Sequence, residues 1–506
     1  MDEALVHALA VVPSENRTAQ LGTIAEAQAA AGNVEAALRI AQLIPSDQAS
    51  RIAALRSIAG AQARRGMASQ AKETFTQAYE LAEARASQLG RAEVLYSLAQ
   101  GEAEAGMAAE ATNTFEESLK LAASLAETPE ILASSPCVLS RSAESKLDGL
   151  LKGLAEQQAR AGSLSNALRA ARSIKYILSA KAEALRAIAE IQAQNGLKDE
   201  AGLILKDAME AAHASPIEYL PSCPNARQVA YPSLSVGMLC DIAKAQAKAG
   251  LIEDAAATLG EALQLVPSIK DSPLLREDLS EALAFLRADL SRSLALSVIA
   301  TAQNEAGFTT QSAATFERAM QAASEVKAAA PHIMALIRLG RAQYQAGHIT
   351  AVADAFDDAL TLARKLENNL ARAHQLLNVL EAKVEVGLAV DGDSTLVEAV
   401  ETAQSTTDAS RHAVLLQKIA LAQEKMGHRE EAAAMYREAL EATDVVADRL
   451  ARRSVLMGLI LGTPLGSQPS RLIAESAAQV ARIAQSIGDE LGRSSALVVI
   501  ARALPN

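Results

Sequence analysis

The chain has 506 residues, a formal net charge of −12, half of its residues hydrophobic, only 3% aromatic and no tryptophan. An acidic balance of this size argues against nucleic acid as the main partner, because phosphate binding needs a basic surface. No run approaches the roughly 18 apolar residues of a membrane span, and no secretory signal is visible. The expectation is a cytoplasmic protein, or a periplasmic or secreted one if a leader upstream of Met1 was removed.

Taken in order, the chain opens on Glu3 to Pro13, which reads as the second helix of a hairpin without its first. A template then recurs, clearest around Gly66. Leu55, Ile58, Ala59 and Gln62 stand eleven, eight, seven and four residues before it, and Ala71, Phe75 and Ala78 stand five, nine and twelve after. Steps of 4 and 3 place these residues on one face of a helix. A glycine between two such helices suits a tight turn, since it accepts positive φ at little cost. The same glycine returns at Gly32, Gly106, Gly162, Gly196, Gly250, Gly307, Gly347, Gly387 and Gly427, always with leucine eleven before it. Each predicts a helical hairpin.

Five regions follow. Residues 1–127 hold the first block of hairpins, and 128–145 form an insertion carrying Pro129 and Pro136. Residues 146–265 are a second block, interrupted at 213–233 by Pro216, Pro221, Pro224 and Pro232. Proline at this density excludes regular helix. Residues 32–64 and 162–194 resemble each other closely, which points to a duplicated block. After a short insertion from Pro267 to Pro273, residues 266–445 carry units spaced by 40, and 446–506 are a degenerate repeat with a capping helix.

A hairpin of 34 residues with small residues and an aromatic at these places resembles the tetratricopeptide repeat. The match lies in the small residue of the first helix (Ala59, Ala99, Ala155, Ala189), the alanine of the second (Ala37, Ala71, Ala111, Ala167, Ala201, Ala255, Ala432) and the aromatic (Phe75, Phe115, Phe316, Phe356, Tyr436). The family's tryptophan is replaced throughout by leucine, and its tyrosine mostly by glutamine. The resemblance implies an all-α fold, a right-handed solenoid of about eleven hairpins, whose first helices line a concave groove.

That resemblance also implies what the groove would use. Residues thirteen, ten, six and three before each glycine should face it. Near Gly347 these are Met334, Ile337, Arg341 and Tyr344, flanked by Leu294, Ser297 and Asn304 on one side and His374, Leu377 and Glu381 on the other. Tyrosine and arginine commonly anchor such surfaces. The family's carboxylate clamp, lysine ten before and asparagine six before one glycine, is not reproduced by Arg56/Gly60, Lys152/Glu156, Arg186/Glu190 or Cys240/Lys244. The expectation is therefore a bacterial, non-enzymatic scaffold that binds a protein or peptide. A ligand-sensing regulatory array and an all-α enzyme are the competing readings.

Other residues carry weaker signals. Cys137, Cys223 and Cys240 form no CxxC pair or zinc pattern and read as reduced thiols. Asp391, Asp393 and Glu398 only faintly suggest a calcium loop, because Leu396 stands where that motif needs glycine. No metal site and no cofactor is expected. Glutamine stands four before the glycine in eight units, from Gln28 to Gln423, and predicts a buried hydrogen-bonded ladder between adjacent hairpins. Arginine stands fifteen before it at Arg17, Arg51, Arg91, Arg292 and Arg372. A cation at a helix start opposes the dipole, so an acidic group or carbonyl of the preceding hairpin should compensate. His348 and His428, each following a turn glycine, are expected to be exposed.

Overall fold

The computed structural model describes residues 14–45, 49–83, 87–127, 138–214, 217–218, 229–230, 232–270, 288–388, 394–461 and 476–486. Contacts divide the chain into two compact units. One comprises 1–86, 97–111 and 364–506, the other 87–96 and 112–363.

The described residues are almost wholly helical. Paired helices are α1 (Ser14–Ala30) with α2 (Val34–Gln42), α3 (Ala49–Arg64) with α4 (Ala68–Glu83), α5 (Gln88–Glu104) with α6 (Ala108–Glu127), α7 (Val138–Arg160) with α8 (Leu164–Ser173), and α9 (Leu178–Gln194) with α10 (Lys198–Ala214). Then come α11 (Pro232–Lys248) with α12 (Ile252–Leu265), α13 (Ala288–Glu305) with α14 (Thr309–Ser324), α15 (Ala329–Gln345) with α16 (Ile349–Arg364), α17 (Asn369–Glu385) with α18 (Ser394–Gln404), and α19 (Ala409–Met426) with α20 (Arg429–Asp444). Helices α21 (Arg449–Leu461) and α22 (Ala477–Ser486) follow.

The turn explains the pairing. All ten glycines have positive φ, between 70° at Gly387 and 91° at Gly427. Gly66 N–H donates to Ala63 O at 2.9 Å, and Met67 N–H reaches back to Gln62 O at 3.0 Å. This double bond pattern caps a helix C-terminus when the last residue is left-handed, and it closes each of the ten turns. Leucine eleven before each glycine is buried in all ten hairpins, from Leu21 to Leu416. Phe75, Phe115, Phe316, Phe356 and Tyr436 are buried in the second helices. First helices also stack on the next first helix, as α1 on α3, α13 on α15 and α19 on α21.

Several expectations change. Helix α7 already begins at Val138, inside the insertion placed at 128–145. The second insertion carries a small antiparallel ladder, Ile217 opposite Ala230 and Glu218 opposite Val229. The aspartates of the faint calcium loop, the thiols Cys137 and Cys223 and the opening helix before Pro13 lie outside the described residues. All eight glutamines are buried, but where a partner is seen it belongs to the same hairpin. Asn33 donates to Gln28 Oε1 at 2.9 Å, and Thr74 Oγ1 donates to Gln62 Oε1 at 2.8 Å. The side chain points across its own turn, because in these hairpins the second helix starts two residues after the glycine.

The arginines at the starts of first helices find carbonyls of the preceding hairpin. Arg51 donates to Ile44 O at 3.2 Å, Arg292 to Ile269 O at 2.8 Å and Arg372 to Leu366 O at 3.2 Å. Arg91 instead pairs with Glu117 of its own hairpin at 3.0 Å. The buried Asp148 on α7 accepts from the backbone N–H of Lys175, Tyr176 and Ile177 at 3.3, 2.7 and 2.5 Å. It thereby pins the link between α8 and α9. Burial pushes its carboxyl upward, against the pull of those three bonds.

Candidate functional site

The first-helix face is built by stacking. A residue ten before the glycine lies toward the following first helix. Tyr96 on α5 sits so close to Gly153 on α7 that a Cβ there would lie 2.5 Å from the tyrosine oxygen. Lys152 on α7 pairs with Glu183 on α9. Gln417 on α19 donates to Leu459 O on α21 at 2.6 Å. Long side chains such as Arg56, Tyr96, Lys152 and Arg186 stay half-buried at this position. Shorter ones are covered. Ile337, Ser297 and Leu377 are 6%, 4% and 3% exposed, so three residues expected to line an open groove instead lie in seams.

The other expected residues reach the surface. On α15, Tyr344 is 41% exposed, with Met334 and Arg341 half-buried at thirteen and six before Gly347. On α13, Leu294 and Asn304 are half-buried. Since α13 and α15 pack directly together, these five form one accessible stripe on neighbouring helices. On α17, Glu381 is exposed and His374 half-buried. Burial, reinforced by Lys418, holds the His374 imidazole below the usual histidine range.

A cleft of about 170 Å³ opens between α17 and α19, lined by Leu377, Glu381, Val414, Lys418, Leu421 and Lys425 among others. Leu377 forms part of its floor despite its low exposure. Lys418 Nζ donates to Asn378 Oδ1 at 3.3 Å, and Lys425 Nζ lies 3.9 Å from Glu381. The cleft thus has an aliphatic floor and a rim with two ammonium groups and one carboxylate. Val414 and Leu421 stand thirteen and six before Gly427, so the offset rule applied to that hairpin would have found them. Lys418 and Lys425 stand at nine and two, outside that rule, and only the folded chain brings them in.

On other first helices several charges are paired. Besides Lys152 with Glu183, Arg186 meets Glu190 at 2.8 Å, and Lys244 meets Asp241 at 2.7 Å. Among the described residues no group of histidine, cysteine and acidic side chains could hold a metal ion. Among them, too, no helix is long and apolar enough to cross a membrane.

The capped turns, the buried leucine row and the aromatics of the second helices decide the architecture. The chain is a tetratricopeptide-like helical repeat. No protein-family model and no curated protein matches it. Solved structures similar to it include a circular tandem repeat protein with novel repeat topology, 14% identical over 96% of this chain and 95% of that one, with a TM-score of 0.24. A Rap protein complexed with competence and sporulation factor is 16% identical over 79% and 98%, with a TM-score of 0.24. A human IFIT1 dimer with PPP-AAAA is 13% identical over 88% and 95%, with a TM-score of 0.23. At these scores no site residue carries over from them to this chain.

Proposed function

We propose that this protein is a non-enzymatic scaffold that captures a protein or peptide segment on the first-helix face of its hairpins. The observation that supports this best is the cleft between α17 and α19. Its floor of Leu377, Val414 and Leu421 accepts an aliphatic or aromatic side chain, and Lys418 and Lys425 at the rim attract a carboxylate beside it. A partner segment would therefore carry an apolar residue next to an acidic one. The stripe of Met334, Arg341 and Tyr344 on α15, with Leu294 and Asn304 on α13, offers a second contact of the aromatic and arginine type that anchors interfaces.

The test uses the full chain as bait against a displayed peptide library. Peptides should be enriched that place an apolar residue beside an acidic one. They should bind Leu421→Arg and the double variant Lys418→Glu, Lys425→Glu at least about tenfold more weakly, the loss of one good polar contact or more. Tyr344→Ala and Arg341→Glu should both weaken a native partner, and Tyr344→Ala should leave the melting temperature nearly unchanged, because Tyr344 is 41% exposed. Enriched peptides that bind all four variants at full strength would place capture elsewhere on the molecule.

A further inference from the structure

A second cavity lies where the C-terminal end of the first helix α15 meets two second helices. It has a volume of about 370 Å³ between α14 and α16, and is lined by Phe316, Glu317, Met320, Gln343, His348 and Asp354, with Ala313 and Ala351 leaving the space between them. Gln343 is 4% exposed, and its Oε1 has no hydrogen-bond partner. In the hairpin of Gly66 the equivalent Gln62 accepts from Thr74, eight residues after the glycine. Eight residues after Gly347 stands Ala355, which has no hydroxyl to offer. The equivalent Gln246 and Gln303 oxygens also lack a partner, although Thr258 and Thr315 stand at that place in their hairpins. Buried amide oxygens are normally bonded, so this one is an acceptor in want of a donor.

His348 compounds the demand. It stands where Asn33 donates to Gln28 in the first hairpin, yet it does not bond Gln343. Its ring is held edge-on to Phe316, with centroids 5.4 Å apart, and its Nε2 is buried without a partner. Glu317 and Asp354 stand exposed at the mouth, and the lining contains no lysine or arginine. The wall thus offers a buried carbonyl at depth, an aromatic ring, a thioether and two carboxylates outside. Each of these favours a group that is positively charged, donates hydrogen bonds and carries an aliphatic stem.

We propose that this cavity binds an alkylammonium ion, with its N–H donors on Gln343 Oε1 and the carboxylates of Glu317 and Asp354, and its stem against Phe316 and Met320. His348 Nε2 serves as a further acceptor when the proton of the neutral ring is on Nδ1. Two sources share this chemistry, a free aliphatic polyamine and the lysine side chain of a partner. The proposal is independent of the scaffold reading, because no residue of this cavity is on the face proposed to capture peptides.

The experiment is calorimetric titration of the full chain with spermidine and, separately, with the peptide acetyl-Gly-Lys-Gly-amide. It is run at about 0.15 M salt, where attraction between exposed charges is largely screened. One saturable site is expected for at least one probe. Spermidine alone binding points to a free polyamine; the peptide binding points to a partner's lysine. Asp354→Asn with Glu317→Gln should weaken binding by about tenfold or more. Ala351→Leu, which fills the cavity without changing charge, should abolish it, and Gln343→Leu should weaken it comparably. The melting temperature of each variant shows that it is folded, and if Gln343→Leu is not, Ala351→Leu carries the test. Binding that survives Ala351→Leu, or that vanishes only when the carboxylates are changed, is attraction to an acidic surface and overturns the site. So does the absence of saturable binding by either probe.

Discussion

Single residues in this chain are constrained by what lies one helix away. Gly340 on α15 stands seven before its turn glycine, the place of the repeat's small residue. A Cβ there would lie 2.6 Å from Phe356 Cε1 and 3.0 Å from its Cδ1. Phe356 is itself 1% exposed and cannot swing away. Alanine would favour the helix by about 1 kcal/mol, but overpacking costs about 1–3 kcal/mol. Gly340→Ala should therefore destabilise the chain by about 1 kcal/mol in urea unfolding. Adding Phe356→Leu should recover part of that loss, so that the two changes together cost less than their sum. Full additivity would show that the ring relaxes freely. Cys240 illustrates the opposite case, a reactive type made inert. Burial, with Asp241 beside it, pushes its thiol up to about 12, far from the range in which thiolates react.

At the scale of elements, each hairpin is completed by groups that its neighbours supply. Asp148 is the sharpest example, since one carboxylate on α7 takes three backbone N–H groups of the link into α9. Removing it leaves three part-buried backbone donors unmet. Asp148→Ala should cost about 2–4 kcal/mol, more than a typical surface change, because an orphaned buried donor costs about 1–3 kcal/mol. Amide exchange should show the loss first at residues 175–177. If those amides stay protected, the link is held by packing instead. Three of the arginines at fifteen before the glycine, Arg51, Arg292 and Arg372, work in the same manner, tying a first helix to a carbonyl of the hairpin before it. Their spacing was legible in the sequence, and so was the need for compensation of a cation at a helix start. Which carbonyl supplies it depends on how one hairpin meets the next.

At the scale of the whole molecule, stability is a sum over hairpins and their interfaces, and its acid sensitivity can be assigned. Burial, with Lys418, lowers His374, and burial lowers His332 against an opposing effect of Asp358. A histidine depressed in the folded chain leaves stability whole above its ordinary pKa. That contribution is lost as the pH falls through the ordinary value toward the depressed one, because the unfolded chain takes up the proton first. The urea midpoint should therefore fall between about pH 7.5 and about pH 5.5, and fall less in His374→Gln. An equal fall in that variant would assign the acid sensitivity to other groups. What the sequence determined by itself is the repeat: the turn glycines, the leucine and aromatic rows, and the helix pairs they imply. These are local and periodic, so each follows from neighbours a few residues away along the chain. The site is different. The offsets that mark the first-helix face found Tyr344, Arg341 and Met334 but also chose Ile337, Ser297 and Leu377, which are covered because they lie in seams between stacked helices. Lys418, Lys425 and the orphaned Gln343 carbonyl were not legible at all. Whether a side chain is exposed, covered or unpartnered is set by what the adjoining hairpin presents, and only the tertiary structure decided that.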